Sequence, residues 1–198
     1  MGHRSRWAAA SIALLCFVWL AAEVARGRTA GFDGTTRASI HSISSPTLTA
    51  AMRMTTALGS QEIVLGLSAG VTIGLLLGGW RRAAFLVLIT MSGAELWLAV
   101  LKELFHRHRP DPFFGTIVSQ SYSFPSGHAL LSLCCYGLLA GLASVRLRGA
   151  ARWVVQIVAA ILILAIGFSR VYLGAHYLSD VIGGYLVATV WMAVVAGL

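Results

Sequence analysis

The sequence contains few charged residues. Asp, Glu, Lys and Arg make up 11% of its 198 residues, whereas soluble domains contain about 25%. In contrast, 58% of the residues are hydrophobic and the mean hydropathy is +0.80. This composition excludes an ordinary water-soluble protein and predicts a membrane protein. Because the apolar content is spread along the chain and the length suits one compact unit, we expect residues 1–198 to form a single membrane domain.

Several residue types are also scarce. Asparagine is absent, which excludes N-glycosylation and favours a bacterial inner membrane. The cysteines, Cys16, Cys134 and Cys135, lie in apolar runs, so neither a disulfide framework nor a zinc-type spacing is present. Lysine occurs once, at Lys102, whereas arginine occurs fourteen times and the formal charge is +8. This basic balance predicts an anionic lipid or a phosphorylated substrate as partner and, given the hydrophobicity, no nucleic acid.

Six apolar stretches are long enough to cross a bilayer core about 30 Å thick. They comprise residues 7–25, 63–79, 83–101, 129–145, 153–171 and 178–197. We therefore predict an all-α fold, an integral membrane bundle of six transmembrane helices, with the first stretch retained rather than cleaved as a signal peptide. Arginines in two short loops, at 81–82 and 146–152, predict that these loops and the amino terminus are cytoplasmic.

Residues 26–62 form a hydrophilic stretch that this topology places on the extracytoplasmic side. Ser45-Pro46 predicts the start of a short helix, with the serine as N-cap. Its apolar residues suit an amphipathic helix at the membrane interface, although a simple connector explains them equally well. In the second span, glycines recur every four residues from Gly66 to Gly78, and this spacing predicts close packing against a neighbouring helix.

The remaining polar residues gather at the predicted outer ends of helices. They lie in residues 102–110, 125–128 and 169–180. Ionisable groups at membrane depth are costly and usually functional, so a cluster of cations predicts an anion-binding site. Lys102 and Arg109 are two helical turns apart, which places both on one face of the third span before Pro110 ends the helix. A pair of solvated side chains at the membrane surface is the alternative.

Ser126 and Gly127 stand immediately before the fourth span. Backbone N–H groups at a helix amino terminus bind anions, and the missing side chain of Gly127 lets an anion approach the backbone closely. His128 then lies within hydrogen-bonding range of a bound group. An ordinary helix start is the alternative.

His176 and Asp180 are four residues apart, so they share a helix face if His176 begins the last span. A carboxylate that accepts one imidazole N–H leaves the other ring nitrogen to act as a nucleophile or base. Arg170 adds a guanidinium to the same segment. A helix-capping contact is the alternative for the histidine and aspartate pair.

Together these segments resemble the three-part motif of the type 2 phosphatidic acid phosphatase family, and all the polar motif positions match. The motif reads Lys102-x6-Arg109-Pro110, Pro125-Ser126-Gly127-His128 and Ser169-Arg170-x5-His176-x3-Asp180, over about the last half of the chain. The resemblance implies a six-span membrane phosphatase without a cofactor or metal. It implies that His176 is the nucleophile, that His128 is the general acid and base, and that Asp180 orients His176. The implied phosphate-binding residues are Lys102, Arg109, Ser126, Gly127 and Arg170.

The resemblance predicts hydrolysis of a membrane lipid monophosphate or diphosphate at the outer face of the bilayer through a phosphohistidine. Undecaprenyl diphosphate, phosphatidylglycerophosphate and phosphatidic acid all fit, and the sequence predicts neither the physiological lipid nor the oligomeric state. One alternative is a lipid phosphotransferase, in which an alcohol intercepts the phosphohistidine. Another is a non-catalytic membrane protein that binds or transports anions or lipids. The related vanadate-dependent haloperoxidases are soluble, so the six spans disfavour their chemistry.

Other ionisable residues lie near the motif. Glu95 is seven residues before Lys102, on nearly the same helix face but roughly 10 Å lower. Binding of an internal polar group is favoured for it over tuning of the site's electric field. His106 and His108 are predicted to be loop residues at headgroup level. A metal site formed by these two histidines with His128 and His176 is the alternative.

Overall fold

The computed structural model describes residues 3–115 and 121–197 of the chain, with side chains from Ser5 onward. In these ranges the regular secondary structure consists of α-helices joined by turns and loops. Their bounds are α1 His3–Ala25, α2 Ala30–Ser42, α3 Pro46–Leu58, α4 Gln61–Leu77, α5 Arg81–Phe105, α6 Gly127–Ser144, α7 Gly149–Tyr172 and α8 Leu178–Val195. The predicted all-α fold is therefore confirmed.

The helices of the described ranges account for the predicted spans. Five of them, α1, α5, α6, α7 and α8, are each long and apolar enough to cross a membrane. The α3 and α4 helices are bent by 43° at a short break and meet the same test only as a pair. Counted as one broken span, this pair completes the six predicted spans. With α4 alone compared to the second span, the predicted bounds differ from the helix ends by at most four residues. The predicted second, fourth and sixth spans end one or two residues beyond their helices, whereas the other three predicted spans lie within theirs.

The bundle is organised around α6 and α8. The α8 helix contacts α1, α5 and α6, and α6 also contacts α5 and α7. Small residues allow close approach at these contacts, since Ala94, Cys134 and Ala188 are fully buried. Large apolar side chains such as Leu77 and Ile161 are exposed on the outer surface. Such an arrangement suits helices that face lipid rather than water.

The hydrophilic stretch 26–62 contains α2, which the sequence did not predict, and α3, and both pack over the ends of neighbouring helices. Ser45 caps α3 as predicted, because its Oγ accepts a hydrogen bond from the N–H of Leu48 at 3.2 Å. The α3 helix lies against the carboxyl end of α7, where Thr49 Oγ1 and the Tyr172 hydroxyl are 2.9 Å apart. The α2 helix packs on α7 and α8. The segment thus covers one end of the bundle.

The packing predicted for the glycines of α4 is wrong. A Cβ atom added to Gly66 or Gly74 would meet nothing within 4 Å among the described residues. The buried residues of α4 are Val64, Ser68 and Thr72, and they face α5 and α6. These residues are offset from the glycines by two positions, or about 200° around the helix. The glycines therefore face away from the bundle.

The two arginine-rich loops meet at one end of the bundle. The guanidinium of Arg146 lies 3.0 Å from the centroid of the Trp80 ring, which brings the α6–α7 loop beside the α4–α5 loop. At the same end, Arg6 near the start of α1 donates a hydrogen bond to the carbonyl of Ala196 beyond α8. The opposite end carries the carboxyl ends of α5 and α7 and the amino ends of α6 and α8. The motif residues lie at that opposite end.

Candidate active site

Arg109 lies beyond the end of α5, so the prediction that it shares a helix face with Lys102 up to Pro110 is wrong. The helix ends earlier because His106 takes a left-handed conformation (φ 47°), with its N–H bonded to the carbonyl of Lys102. The two cations nevertheless meet at one atom. Lys102 Nζ donates a hydrogen bond to Ser121 Oγ at 2.9 Å, and Arg109 Nη2 donates to the same oxygen at 3.1 Å.

The turn between α7 and α8 carries His176. Gly174 has a φ of +75°, which glycine adopts readily, and a Cβ atom there would lie 2.8 Å from the backbone nitrogen of Phe113. The N–H groups of Ala175 and His176 both donate to the carbonyl of Arg170, at 2.9 and 3.2 Å. The turn is therefore fixed on the end of α7, and His176 is only 1% exposed.

His176 contacts both a cation and a carboxylate. Its Nε2 is 3.0 Å from Nη1 of Arg109, and its Nδ1 is 3.4 Å from Oδ2 of Asp180. A guanidinium only donates hydrogen bonds, so Nε2 is the acceptor and Nδ1 carries the hydrogen that points at Asp180. Although His176 precedes α8, this agrees with the arrangement expected from the sequence, in which one ring nitrogen faces Asp180 and the other is left available. Nε2 therefore presents the lone pair that can attack an electrophile.

Burial keeps the imidazole of His176 neutral. It lowers the pKa of His176 to about 4; Asp180 opposes the shift, while Arg109 and Arg170 add to it. A neutral imidazole retains its nucleophilic lone pair at physiological pH. Burial also lowers the pKa of Arg109, and the Asp180 carboxylate opposes that shift.

Asp180 is held in place by several donors. Its Oδ2 accepts the N–H of Tyr177 at 2.9 Å at the start of α8, and it also accepts the hydroxyl of Ser123. Its Oδ1 accepts Nη1 of Arg107 at 2.6 Å. The Ser123 oxygen in addition lies 3.4 Å from Nδ1 of His176. The carboxylate is fully buried with both oxygens hydrogen-bonded, so its orientation toward the imidazole is fixed.

Arg170 reaches the cluster from the end of α7. Its Nη1 donates to Thr56 Oγ1 on α3 at 2.6 Å. Its buried Nε has no hydrogen-bond partner in the described part of the chain. This N–H is an unused donor on a guanidinium that acts electrostatically on His176, as an anion site requires.

His128 lies in the first turn of α6, against the break between α3 and α4. A Cβ atom on Gly59 would be 3.2 Å from Cδ2 of His128. The imidazole is within electrostatic range of four other predicted site residues, namely Lys102, Arg109, Arg170 and His176. The structure therefore brings the predicted acid and base, nucleophile and cations into one cluster.

The structure changes the part predicted for Ser126 and Gly127. The N–H of Ser126 donates to the carbonyl of Asp180 at 3.0 Å, so it is not free to bind an anion. The α6 helix begins at Gly127, and the first N–H groups of a helix have no partner within it. A Cβ atom on Gly127 would lie 3.0 Å from Cδ2 of Leu98, so the glycine also serves the packing of α6 on α5.

The motif did not predict two charged residues next to Asp180, namely Asp33 on α2 and Arg107 after α5. Arg107 Nη2 donates to Asp33 Oδ2 at 2.8 Å, and the same guanidinium reaches Asp180. Asp33 is fully buried. The sequence offered one signal, because the chain contains just seven acidic residues and an aspartate in the hydrophilic stretch is conspicuous. The pairing itself joins positions 74 residues apart and has no sequence pattern.

Glu95 and the loop histidines have roles outside the cluster. Oε2 of Glu95 accepts a hydrogen bond from Gln61 Nε2 at 3.1 Å, but Gln61 is exposed, so this polar contact is not the internal one expected. His106 and His108 are exposed, as predicted for loop residues. Among residues 3–115 and 121–197, no group of three His, Cys, Asp or Glu side chains is arranged to hold a metal ion. The alternative metal site is therefore not formed by the described residues.

Comparison with known proteins identifies the family. The sequence profile of the PAP2 superfamily matches residues 82–198. Phosphatidylglycerophosphatase B of Bacillus subtilis (strain 168) is 30% identical over 185 residues, which cover 92% of this chain and 91% of that protein.

Two crystal structures share the architecture. One is a transmembrane PAP2-type phosphatidylglycerolphosphate phosphatase from Bacillus subtilis, with a TM-score of 0.86 and 30% identity, over 95% of this chain and 94% of that one. LpxE from Aquifex aeolicus shares the fold at 17% identity, with a TM-score of 0.61 over 83% of this chain and 94% of that one. The profile match and the full-length likeness to a phosphatase show that this multi-pass membrane chain belongs to the PAP2 superfamily and is a lipid phosphatase.

Proposed function

We propose that the enzyme removes phosphate from a membrane lipid through a phosphohistidine formed at His176. The observation that carries this proposal is the orientation of that imidazole, with Nδ1 toward Asp180 and Nε2 facing Arg109 at 3.0 Å. A substrate phosphate that binds Arg109 takes over the guanidinium N–H and frees the Nε2 lone pair. The cation that holds the resting nucleophile is thus the same one that binds the electrophile.

The reaction proceeds in two displacements. Nε2 of His176 attacks phosphorus in line, and the N–P bond forms as the P–O bond to the lipid breaks. His128 donates a proton to the leaving oxygen. Water then attacks the phosphohistidine and gives a proton to His128, while the N–P bond breaks and phosphate leaves. Both histidines return to their starting states, and no metal takes part.

The cations bind the phosphoryl oxygens and stabilise the charge that moves during transfer. Lys102 and Arg109 already converge on one oxygen, that of Ser121, and Arg170 has an unused buried N–H. Phosphoryl transfer depends mainly on positioning and electrostatic stabilisation. The N–H groups at the start of α6 add a further anion-binding surface, with Gly127 rather than Ser126 as the first available donor.

Phosphatidylglycerophosphate is the substrate we propose first. The support is the likeness to the Bacillus subtilis proteins, whose names state this activity and which match more than 90% of the chain. A panel with undecaprenyl diphosphate and phosphatidic acid tests the choice by the rate of phosphate release. Product analysis in the presence of glycerol separates hydrolysis from phosphotransfer, because transfer yields a new phosphoester instead of free phosphate.

We further propose that the site faces the periplasm or the cell exterior from a bacterial inner membrane. Loops rich in arginine remain on the cytoplasmic side, and two of them meet around Trp80 at the end of the bundle opposite the motif residues. Reporter fusions to the carboxyl terminus test this orientation. A cytoplasmic reporter fused after Leu198 is expected to be active, and an active periplasmic reporter there would reverse the assignment.

The mechanism is tested by trapping the phosphoenzyme. With ³²P-labelled p-nitrophenyl phosphate, whose leaving group needs no proton, His128→Ala is expected to accumulate alkali-stable, acid-labile label because hydrolysis of the intermediate is slowed. His176→Ala is expected to show no label and no turnover. His108→Ala, which removes an exposed loop histidine, is the matched control and retains normal turnover. Label or turnover in folded His176→Ala would refute the nucleophile assignment.

A further inference from the structure

Three charged side chains from distant parts of the chain form a buried row behind His176. Asp33 comes from α2, Arg107 from the segment after α5, and Asp180 from α8. The two carboxylates are fully buried, and the Arg107 side chain is 15% exposed. An ionic group so far from water is costly unless its partners compensate it.

Each charged side chain of this row is hydrogen-bonded to another member of the row. Arg107 Nη2 donates to Asp33 at 2.8 Å, and Nη1 donates to Asp180 at 2.6 Å and to the Ser179 hydroxyl at 2.7 Å. Asp33 also accepts the N–H of Ser179 at 3.0 Å and its hydroxyl at 2.7 Å. The guanidinium lies 4.2 Å from the centroid of the Tyr177 ring. The contacts fix both the position and the plane of the Asp180 carboxylate.

The charge count of the row bears on the reaction. One guanidinium between two carboxylates leaves a net charge of −1 beside the imidazole. When His176 attacks phosphorus its ring gains positive charge, which a net negative neighbour stabilises. Without Asp33, Arg107 would neutralise Asp180 and this stabilisation would be lost. Without Arg107, Asp180 would lose the guanidinium donor to its Oδ1, and only the donors to Oδ2 would remain to orient it.

We propose that Arg107 and Asp33 are positioning residues of the phosphatase reaction, which act through Asp180 on the orientation and charge of His176. The inference rests on the proposed role of His176 as nucleophile. The competing hypothesis is purely structural, in which the row ties α2 to α8 and contributes to stability alone. The two hypotheses predict different changes in kcat when Arg107 or Asp33 is substituted in a variant that already lacks the Asp180 carboxylate.

The test measures kcat, KM and orthovanadate binding of purified variants in detergent. Asp33→Asn, which is isosteric, and Arg107→Gln are expected to lower kcat about 10–100-fold, the range found when the hydrogen-bonded partners that orient metal ligands are removed. KM and the Kd for orthovanadate, a phosphate analogue, are expected to change less than about threefold, because the anion-binding cations are intact. Arg107→Lys keeps the charge and is expected to recover part of the lost kcat.

The deciding measurement is made in the Asp180→Asn background. If Arg107 and Asp33 act through Asp180, adding either substitution lowers kcat by less than about twofold further. A structural role predicts that the losses multiply, and that result would overturn the inference. Asp33→Asn carries the test if Arg107→Gln does not fold. Unchanged kcat in Asp33→Asn and in folded Arg107→Gln would likewise overturn it.

The pH profile gives a second readout that loss of packing does not mimic. The charged and titratable groups around His176 include Arg109, Asp180, Arg170 and His128, with Lys102 in range of Asp180. Removing a positive charge in Arg107→Gln moves the acid limb of kcat/KM to higher pH, and removing a negative charge in Asp33→Asn moves it to lower pH. Shifts in the same direction would contradict the charge argument.

Arg37→Gln is the matched control. Arg37 also joins α2 to this region, and its guanidinium lies over the rings of Phe113 and Tyr177. Its loss is expected to lower the Tm while changing kcat less than about twofold. Failure of the inference is distinct from failure of the proposed function, because activity retained in His176→Ala and Asp180→Asn would refute the mechanism itself.

Discussion

Gly59 lies in the break between α3 and α4, and its substitution tests how helix packing affects His128, the proposed general acid and base. A Cβ atom there would lie 2.3 Å from Cγ2 of Ile166 on α7 and 3.2 Å from Cδ2 of His128. Carbon atoms pack at about 3.5 Å or more, so Gly59→Ala requires the break and α7 to separate by about 1.2 Å. Ile166 is fully buried, so its side chain has no solvent-facing space to enter.

Overpacking of this kind costs about 1–3 kcal/mol. For a chain of this size each kcal/mol lowers the Tm by about 2–4 °C, so Gly59→Ala is expected to lower it by roughly 2–12 °C. A displacement of about 1 Å next to a catalytic group reduces the rate by up to about 100-fold. We therefore expect kcat for phosphate release to fall together with the Tm, both measured in the same detergent.

A second substitution tests whether the clash with Ile166 causes these losses. Ile166→Ala removes Cγ2, so the double variant with Gly59→Ala is expected to be more stable than the sum of the two single losses predicts. Ile166→Val keeps Cγ2 and should give no such relief. Wild-type Tm and kcat in Gly59→Ala, or equal relief by alanine and valine, would refute the steric origin of the effect.

Three further predictions concern the site. Asp180→Asn is expected to lower kcat about 10³–10⁴-fold, as for other oriented histidines, while Asp111→Asn changes it little; comparable kcat values for the two would contradict the orienting role. The pKa of His176 is about 4 in the folded protein and about 6.5 for a free histidine, so the unfolded chain takes up a proton first as the pH falls. Stability measured by thermal unfolding is therefore expected to decrease between about pH 6.5 and pH 4. This decrease is expected to be shallower in His176→Ala. Exhaustive treatment with EDTA is expected to leave phosphate release unchanged, and activity restored only by added metal would contradict the metal-free mechanism.

Local patterns in the sequence were sufficient for the apolar spans, for the start of α3 and for the approximate position of the site, whereas α2 was not predicted. Apolar stretches of membrane-spanning length identify the spans because the bilayer sets the length that must be apolar. The start of α3 followed from Ser45-Pro46, since capping depends on adjacent residues. The convergence of the segments around Lys102, His128 and His176 followed from the number of spans between them, which places these helix ends on the same side of the membrane.

Features that depend on distant neighbours did not follow from the sequence. The early end of α5 at His106 and the bond from the Ser126 N–H to the Asp180 carbonyl reflect contacts made in the folded bundle. Likewise, the regular glycines of α4 predicted a packed face, but the bundle buries the opposite face of that helix. Spacing specifies which residues share a face, and it does not specify which face meets a neighbour.

The sequence by itself determined that this chain is a helical membrane protein with cations and two histidines at one end, because apolar length and local spacing encode both properties. Tertiary structure alone decided which nitrogen of His176 faces Arg109, and that Asp33 and Arg107 stand behind Asp180. These arrangements depend on distances between residues far apart in the chain. Burial strengthens the electrostatic interactions in these arrangements, because charges removed from water interact strongly with neighbouring charges.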